Sequence, residues 1–308
     1  MKKFCLVAVL FGAASAAMAQ DDAVTLDDVI QSAQQWAKEN LDENALHALG
    51  EVNEERVKQF LAEFQKRFQG EYVLDVAQLK STAQAIVPLL EAHEETLPYT
   101  IWLKTRLDYL DVAEELRLVI PTPKTEPGKP PPPRPAPKPQ MLREVWVEEV
   151  KAHPVPKAAQ PYVLRLKPIF AAQKVPPELV WIAEVESSFD PRARSPVGAA
   201  GLFQLMPATA KQYGLKTTWP FDQRVRPEES ARAAAQYLAA LYKRFGDWRL
   251  VLAAYNAGEG TVQNLLKRRK AKTFDEIATR LPAETQMYVP KVEAVLLKRE
   301  GVRLSELR

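Results

Sequence analysis

The feature that most constrains this chain is a run of prolines near its middle. Between Pro121 and Pro139, ten prolines fall in nineteen residues, interleaved with Lys124, Lys129, Arg134 and Lys138. Proline lacks a backbone N–H and fixes φ, so such a run favours polyproline II and cannot pack a core. Fully extended at ~3.1 Å per residue, it would reach on the order of 60 Å. It predicts a linker at 121–140 and a short connecting segment at 141–160. A helical region at 20–120 lies before the linker, and a compact unit at 161–308 after it. At 308 residues the chain is long enough for two modest domains.

Both flanking regions carry helical spacing. Val57, Phe60, Leu61, Phe64 and Phe68 recur at three and four residues before Gly70, and Ile101, Leu103, Leu107, Leu110 and Leu116 follow. In the second half, Pro176-Pro177-Glu178 reads as a helix start, as does Pro227-Glu228-Glu229 for an alanine-rich helix ending near Gly246. Thr273 to Glu276 has the form of a capping box, and Pro290 should limit or kink the segment holding Tyr288. Alternating strand patterns are few, so the expected fold class is mainly α.

The first residues suggest an address. Lys2 and Lys3, an apolar run from Leu6 to Ala17, and Ala17-Met18-Ala19 are the parts of a signal peptide, placing residues 1–19 in a cleaved leader. No later stretch approaches the roughly 20 apolar residues of a membrane span. The single cysteine, Cys5, precedes the apolar run, where a lipid-bearing cysteine would have to follow it. Export to the periplasm without disulfides is the expectation. Charge is divided between the halves: residues 21–120 hold 9 basic and 20 acidic residues, and residues 161–308 hold 24 and 15. A basic region in an exported protein points to a polyanion other than nucleic acid. The acidic region suggests docking on a protein partner, or restraint of the basic unit. His47 and His93 stand alone, so neither a metal nor a cofactor is expected.

Glu186 is the residue of chemical interest. On a helix through Glu178–Phe189 it shares a face with Leu179, Ile182, Ala183 and Phe189, whereas Glu184 points away as a solvated residue. A carboxyl on an apolar face loses hydration, and its pKa rises toward what a general acid needs. Spacing alone leaves open a plain helix glutamate paired to a nearby base.

Four blocks in order supply context: Val185-Glu-Ser-Ser-Phe-Asp-Pro191, Gly198-Ala-Ala-Gly-Leu-Phe-Gln-Leu-Met-Pro207, Ala253-Ala-Tyr-Asn-Ala-Gly-Glu-Gly260 and Glu284-Thr-Gln-Met-Tyr-Val-Pro290. With them the chain resembles the lysozyme-like lytic transglycosylases, particularly the membrane-bound lytic murein transglycosylase D type. The resemblance implies a helical lysozyme-like domain at 161–308 that cuts peptidoglycan glycan strands, with Glu186 as single acid/base. It implies that Ser187 orients the site or substrate and that Gln204 stands beside the glutamate. Phe203, in place of a common methionine, would form an apolar wall. Tyr255 and Asn256 would line the glycan cleft, and the Tyr288 hydroxyl would lie near the catalytic carboxyl. For both tyrosines core packing with a satisfied hydroxyl is the alternative. Glu259 reads as a buried scaffold residue, and the glycines as tight turns.

Most glycosidases need two carboxylates. The transglycosylase reaction has an internal nucleophile, the muramyl C6 hydroxyl, so one acid suffices to give a 1,6-anhydromuramyl end. Asp190 is the other acid noted among the blocks, and Phe-Asp-Pro suits a turn. Two rival readings remain, a hydrolytic muramidase and a non-catalytic peptidoglycan-binding scaffold. The type commonly carries a lipid anchor and C-terminal glycan-binding repeats. Neither is evident here, so attachment by those routes is not expected.

Overall fold

The computed structural model describes residues 54–70, 72–91, 94–121, 123, 134–218 and 220–307, with the side chains of 54–56 and 89 excepted. The leader, Cys5, His47, His93, Lys124 and Lys129 lie outside them. Among the described residues the secondary structure is helical, with strand pairing limited to two isolated bridges, Arg194–Ala200 and Ala200–Leu205. No described helix is long and apolar enough to cross a membrane.

Before the proline run lie α1 (Glu54–Phe68), α2 (Val73–Val76), α3 (Lys80–Glu91) and α4 (Leu97–Val119). Val57, Leu61, Phe64 and Phe68 form the buried stripe of α1, as their spacing predicts. After it come α5 (Pro139–Ala152), α6 (Ala159–Ala172), α7 (Ile182–Ser187), α8 (Pro207–Gln212) and α9 (Pro227–Phe245). The chain ends with α10 (Trp248–Ala257), α11 (Glu259–Arg269), α12 (Phe274–Ile277) and α13 (Ala283–Glu300). The α9 helix stops at Gly246, left-handed at φ 65°, and the Thr273/Glu276 capping box starts α12, both as expected. The Lys267–Lys270 cluster is a solvated face at the end of α11.

Two helices, α4 and α13, form the centre. Neither has a clean apolar stripe, which is the pattern of helices buried on most sides. The α13 helix packs on α2, α5, α7 and α10, and α4 packs on α2, α3, α5 and α7. Pro290 was expected to limit or kink α13, yet the helix runs through it. Thirteen of its eighteen residues are buried, and that burial offsets a proline penalty of about 3 kcal/mol.

The division at residue 120 does not survive in the packing. One core cluster runs from Val57 to Leu304. Polar ties also cross the boundary: Lys291 Nζ donates to the Thr105 carbonyl at 3.1 Å and to Asp108 at 2.9 Å. The Ala283 N–H donates to the Gly70 carbonyl at 2.6 Å, and the Arg194 N–H to that of Pro98 at 3.0 Å. The proline run was read as a spacer. Its far end returns to its near end, with Arg134 donating to the Arg117 carbonyl at 3.0 Å and Pro137 buried. A stiff segment separates two bodies only if nothing else joins them, and here apolar burial does. The connecting segment expected at 141–160 is largely α5, whose Trp146 is fully buried against Tyr109 of α4, with ring centroids 5.0 Å apart.

Candidate active site

Glu186 sits in the last turn of α7 and is 4% exposed. The segment expected to be one helix is instead a 3-10 turn at Pro177–Trp181 followed by α7, which stops at Ser187. Ser188 and Phe189 both take left-handed backbone, φ 49° and 61°. Their N–H groups return to the carbonyls of Glu184 and Ala183 at 3.0 and 3.1 Å. Such a turn satisfies carbonyls that a helix end would leave open. Phe189 is therefore no longer in helical phase with Glu186. Its buried ring instead anchors the turn, edge-on to Trp181 at 5.6 Å. Glu184 is not a solvated residue; it holds the guanidinium fork of Arg299 at 2.7 and 3.0 Å.

Two groups reach the Glu186 carboxyl, and a third side chain, Glu284, shares one of them. The Tyr288 hydroxyl, reaching in from α13, donates to Oε1 at 2.7 Å. Arg106 Nη2 lies 4.0 Å from Oε2, and Arg106 Nη1 donates to the Glu186 carbonyl at 3.3 Å. The same guanidinium binds Glu284 Oε1 at 3.3 Å. Burial drives the Glu186 pKa up to about 7, against the lowering pull of Arg106 and Tyr288. Tyr288, buried beside that carboxyl, has its own pKa pushed well above 10, so it remains a donor. The result is a carboxyl that exchanges a proton near neutral pH, held in one orientation.

A cavity of about 310 Å³ opens over this group. Of the residues singled out from sequence, Glu186, Gln204, Tyr255 and Asn256 line it. Gln204, left-handed at φ 45°, donates to the carbonyls of Ala193 and Gly201 at 3.0 and 2.9 Å. The Tyr255 hydroxyl donates to the Phe203 carbonyl at 2.6 Å, and Asn256 Oδ1 accepts from Thr285 Oγ1 at 2.6 Å. Two others lie elsewhere. Ser187 is fully buried and donates to the carbonyls of Ala183 and Leu202 at 3.1 and 2.9 Å, pinning α7 to the following loop. Phe203 is no cavity wall; its ring is fully buried, 5.5 Å from that of Phe170. Leu202 and Phe203 stay in the core, and the left-handed backbone at Gln204 turns the chain so that Gln204 faces the cavity. Glu259, expected to be buried, is not: it opens α11 and pairs with Arg244 at 2.5 Å.

Several contributors were not visible in the sequence. Gln65 and Gln69, one turn apart at the end of α1, line the cavity with Trp102 and Arg106 of α4. Glu284, which heads the fourth motif block but was assigned no role from it, lines it too as a second buried carboxylate. Asp190 is bound by Arg192 at 2.7 Å. Tyr237 stacks toward Tyr255 at 5.4 Å. Arg224, 4% exposed, braces the Gln204 loop by donating to the carbonyls of Gly198 and Leu205 at 2.6 and 2.9 Å. Arg106 lies 80 residues before Glu186 and outside every motif block. Glu284 opens the fourth block, one helical turn before Tyr288, but nothing local pairs it with Arg106.

Residues 169–278 match the family described as Transglycosylase SLT domain. Membrane-bound lytic murein transglycosylase D of Escherichia coli K12 is 42% identical over 160 residues, which cover 49% of this chain and 35% of that protein. Soluble lytic murein transglycosylase of Salmonella typhimurium LT2 is 38% identical over 121 residues, covering 37% of this chain and 19% of that one. The chain thus spans well under two thirds of these relatives' lengths. Among solved structures, the 70 kDa soluble lytic transglycosylase of Escherichia coli aligns at TM-score 0.42 and 19% identity, over 94% of this chain and 56% of that one.

Proposed function

We propose that the protein is a peptidoglycan lytic transglycosylase, a reading supported by the match of residues 169–278 to the transglycosylase SLT domain family. It would cut the β-1,4 bond between N-acetylmuramic acid and N-acetylglucosamine and leave 1,6-anhydromuramyl ends. One observation carries the reading: a buried carboxyl, Glu186, with its pKa near 7, held by Tyr288 on the wall of a cavity.

The geometry supports a division of roles. Tyr288 occupies Oε1, which leaves Oε2 to carry the proton delivered to the glycosidic oxygen. As the bond breaks, positive charge develops at C1 of the muramyl sugar, and the newly formed Glu186 carboxylate faces it. The C6 hydroxyl then attacks C1 while Glu186 takes back its proton, so no water is consumed. Gln204, Tyr255 and Asn256 position the glycan in the cleft. Export through the 1–19 leader into the periplasm belongs to the same proposal.

Glu284 favours a second reading, hydrolysis with two carboxylates in one cavity. Against it, Glu284 is bound to Arg106 at 3.3 Å, and a carboxylate so bound is a poor base or nucleophile. Digestion of purified sacculi followed by mass spectrometry separates the two. Anhydro products are one water lighter than hydrolytic ones. Hydrolytic ends only, or full activity in an intact Glu186→Gln protein, would overturn the proposal. No cleavage at all by the wild-type protein would favour a binding scaffold.

A further inference from the structure

Seven buried side-chain N or O atoms have no hydrogen-bond partner among the described residues, and four belong to residues lining the cavity: Gln65 Oε1, Trp102 Nε1, Arg106 Nε and Gln204 Oε1. A buried polar group without a partner costs about 1–3 kcal/mol, so proteins carry few of them. Their concentration around one cavity marks where a ligand would supply what the protein does not. Three stand on the wall contributed by the N-terminal helices: Gln65 is 7% exposed, Arg106 6%, and Trp102 is fully buried, with the Arg106 guanidinium already engaged by Glu284. Gln69, exposed and one turn beyond Gln65, stands where that wall meets solvent. The Ala283–Gly70 hydrogen bond of 2.6 Å fixes this wall to the start of α13.

We infer that Gln65, Trp102 and Gln69 form a subsite that takes an acetamido group of the glycan. An indole N–H only donates, and a carboxamide oxygen only accepts. A secondary amide answers both, its carbonyl accepting from Trp102 and its N–H donating to Gln65. A carboxylate could accept from the indole but would have nothing to donate to Gln65. The terminal bond of Gln65 turns readily, which lets the carboxamide meet an entering amide. Gln69 adds a second carboxamide at the rim. The inference rests on the glycan reading of the cleft, but not on the bond-breaking step.

The test uses full-length Glu186→Gln protein and calorimetric titration. N-acetylglucosamine oligomers are compared with cello-oligosaccharides of equal length, which are neutral and carry a hydroxyl in place of the acetamido group. The parent should prefer the N-acetylated oligomer. Gln65→Leu should lower that affinity about tenfold, the value of one hydrogen bond of roughly 1.4 kcal/mol. Gln69→Ala should lower it a few-fold, and both should leave cello-oligosaccharide binding unchanged. If Gln65→Leu fails to fold, Gln69→Ala at its exposed position and Trp102→Phe, which keeps an aromatic ring, carry the test. Full affinity for the N-acetylated oligomer in the folded variants overturns the subsite, even if sacculi yield anhydro products. An acetamido preference that depends on Gln65, in a wild-type protein releasing no such products, upholds the subsite and overturns the catalytic reading.

Discussion

Glu186 has neighbours that pull on its proton in opposite directions. Burial holds the proton on, while Arg106 and the Tyr288 hydroxyl favour the ionised form. Tyr288→Phe removes a donor to the carboxylate, so the pKa should rise further. The alkaline limb of the pH–rate profile should move upward, and the optimal rate should fall about tenfold or more. The same shift bears on stability. With a folded-state pKa of about 7 against 4.5 unfolded, the native state binds the extra proton between those values. The stabilisation is complete below 4.5 and is lost as pH rises through 7, a change of up to roughly 3 kcal/mol. Urea unfolding should therefore show Glu186→Gln gaining on wild type between pH 5 and pH 8. Equal gaps at both pH values would mean that the carboxyl is not titrating there. Arg106 is a positioning residue of another kind. Arg106→Gln leaves Glu284 buried without its partner and should cost about 3–5 kcal/mol. Adding Glu284→Gln should recover part of that stability, while the upward shift of the pH–rate profile persists from the loss of Arg106 beside Glu186.

At the scale of elements, the loop between Ala193 and Leu205 decides whether Gln204 reaches the cavity. Gly201 takes φ +83°, and a Cβ there would lie 1.9 Å from the Arg224 carbonyl oxygen. Gly201→Ala therefore needs backbone to move as well as left-handed strain to be carried. It should lower stability by about 3 kcal/mol or more and activity sharply. Gly214→Ala is a control, with φ +82° but nothing within 4 Å, and should cost only about 1 kcal/mol. Comparable Tm losses in the two would argue against the Arg224 clash. The short α7 makes a related point. Its start and end were misplaced because a 3-10 turn and two left-handed residues keep much of the apolar pattern of a longer helix. Periodicity reports which residues are buried more reliably than where a helix stops.

For the whole molecule, the acidic first half is a wall of the site. It carries Arg106, Gln65 and Trp102 to the cavity, and its Asp108 holds Lys291 of α13. Lys291 is buried, and burial lowers its pKa despite Asp108. A fragment of residues 134–308 would lose these contacts and expose the faces that α4 covers. It should be inactive or insoluble, and co-expression with residues 1–121 should restore activity. Full activity from the fragment alone would show that the first half is dispensable. Part of the complementary charge suggested by the basic second half is thus supplied by the same chain, through the Lys291–Asp108 pair.

The helical class, the α9 boundaries, the start of α12, and the meeting of Glu186, Gln204, Tyr255, Asn256 and Tyr288 at one place in the fold were legible in the sequence by itself. Local spacing, capping chemistry and contiguous motif blocks encode such features within a few residues. Tertiary structure alone decided that Ser187 and Phe203 serve the scaffold, that the halves share one core, and that Glu284 and Arg106 flank the acid. Those outcomes depend on burial and on partners as distant in the chain as Gly70 and Ala283. The proline run shows the difference most plainly. Its composition excludes a packed core within it, but the apolar faces on either side determine whether its ends separate or meet.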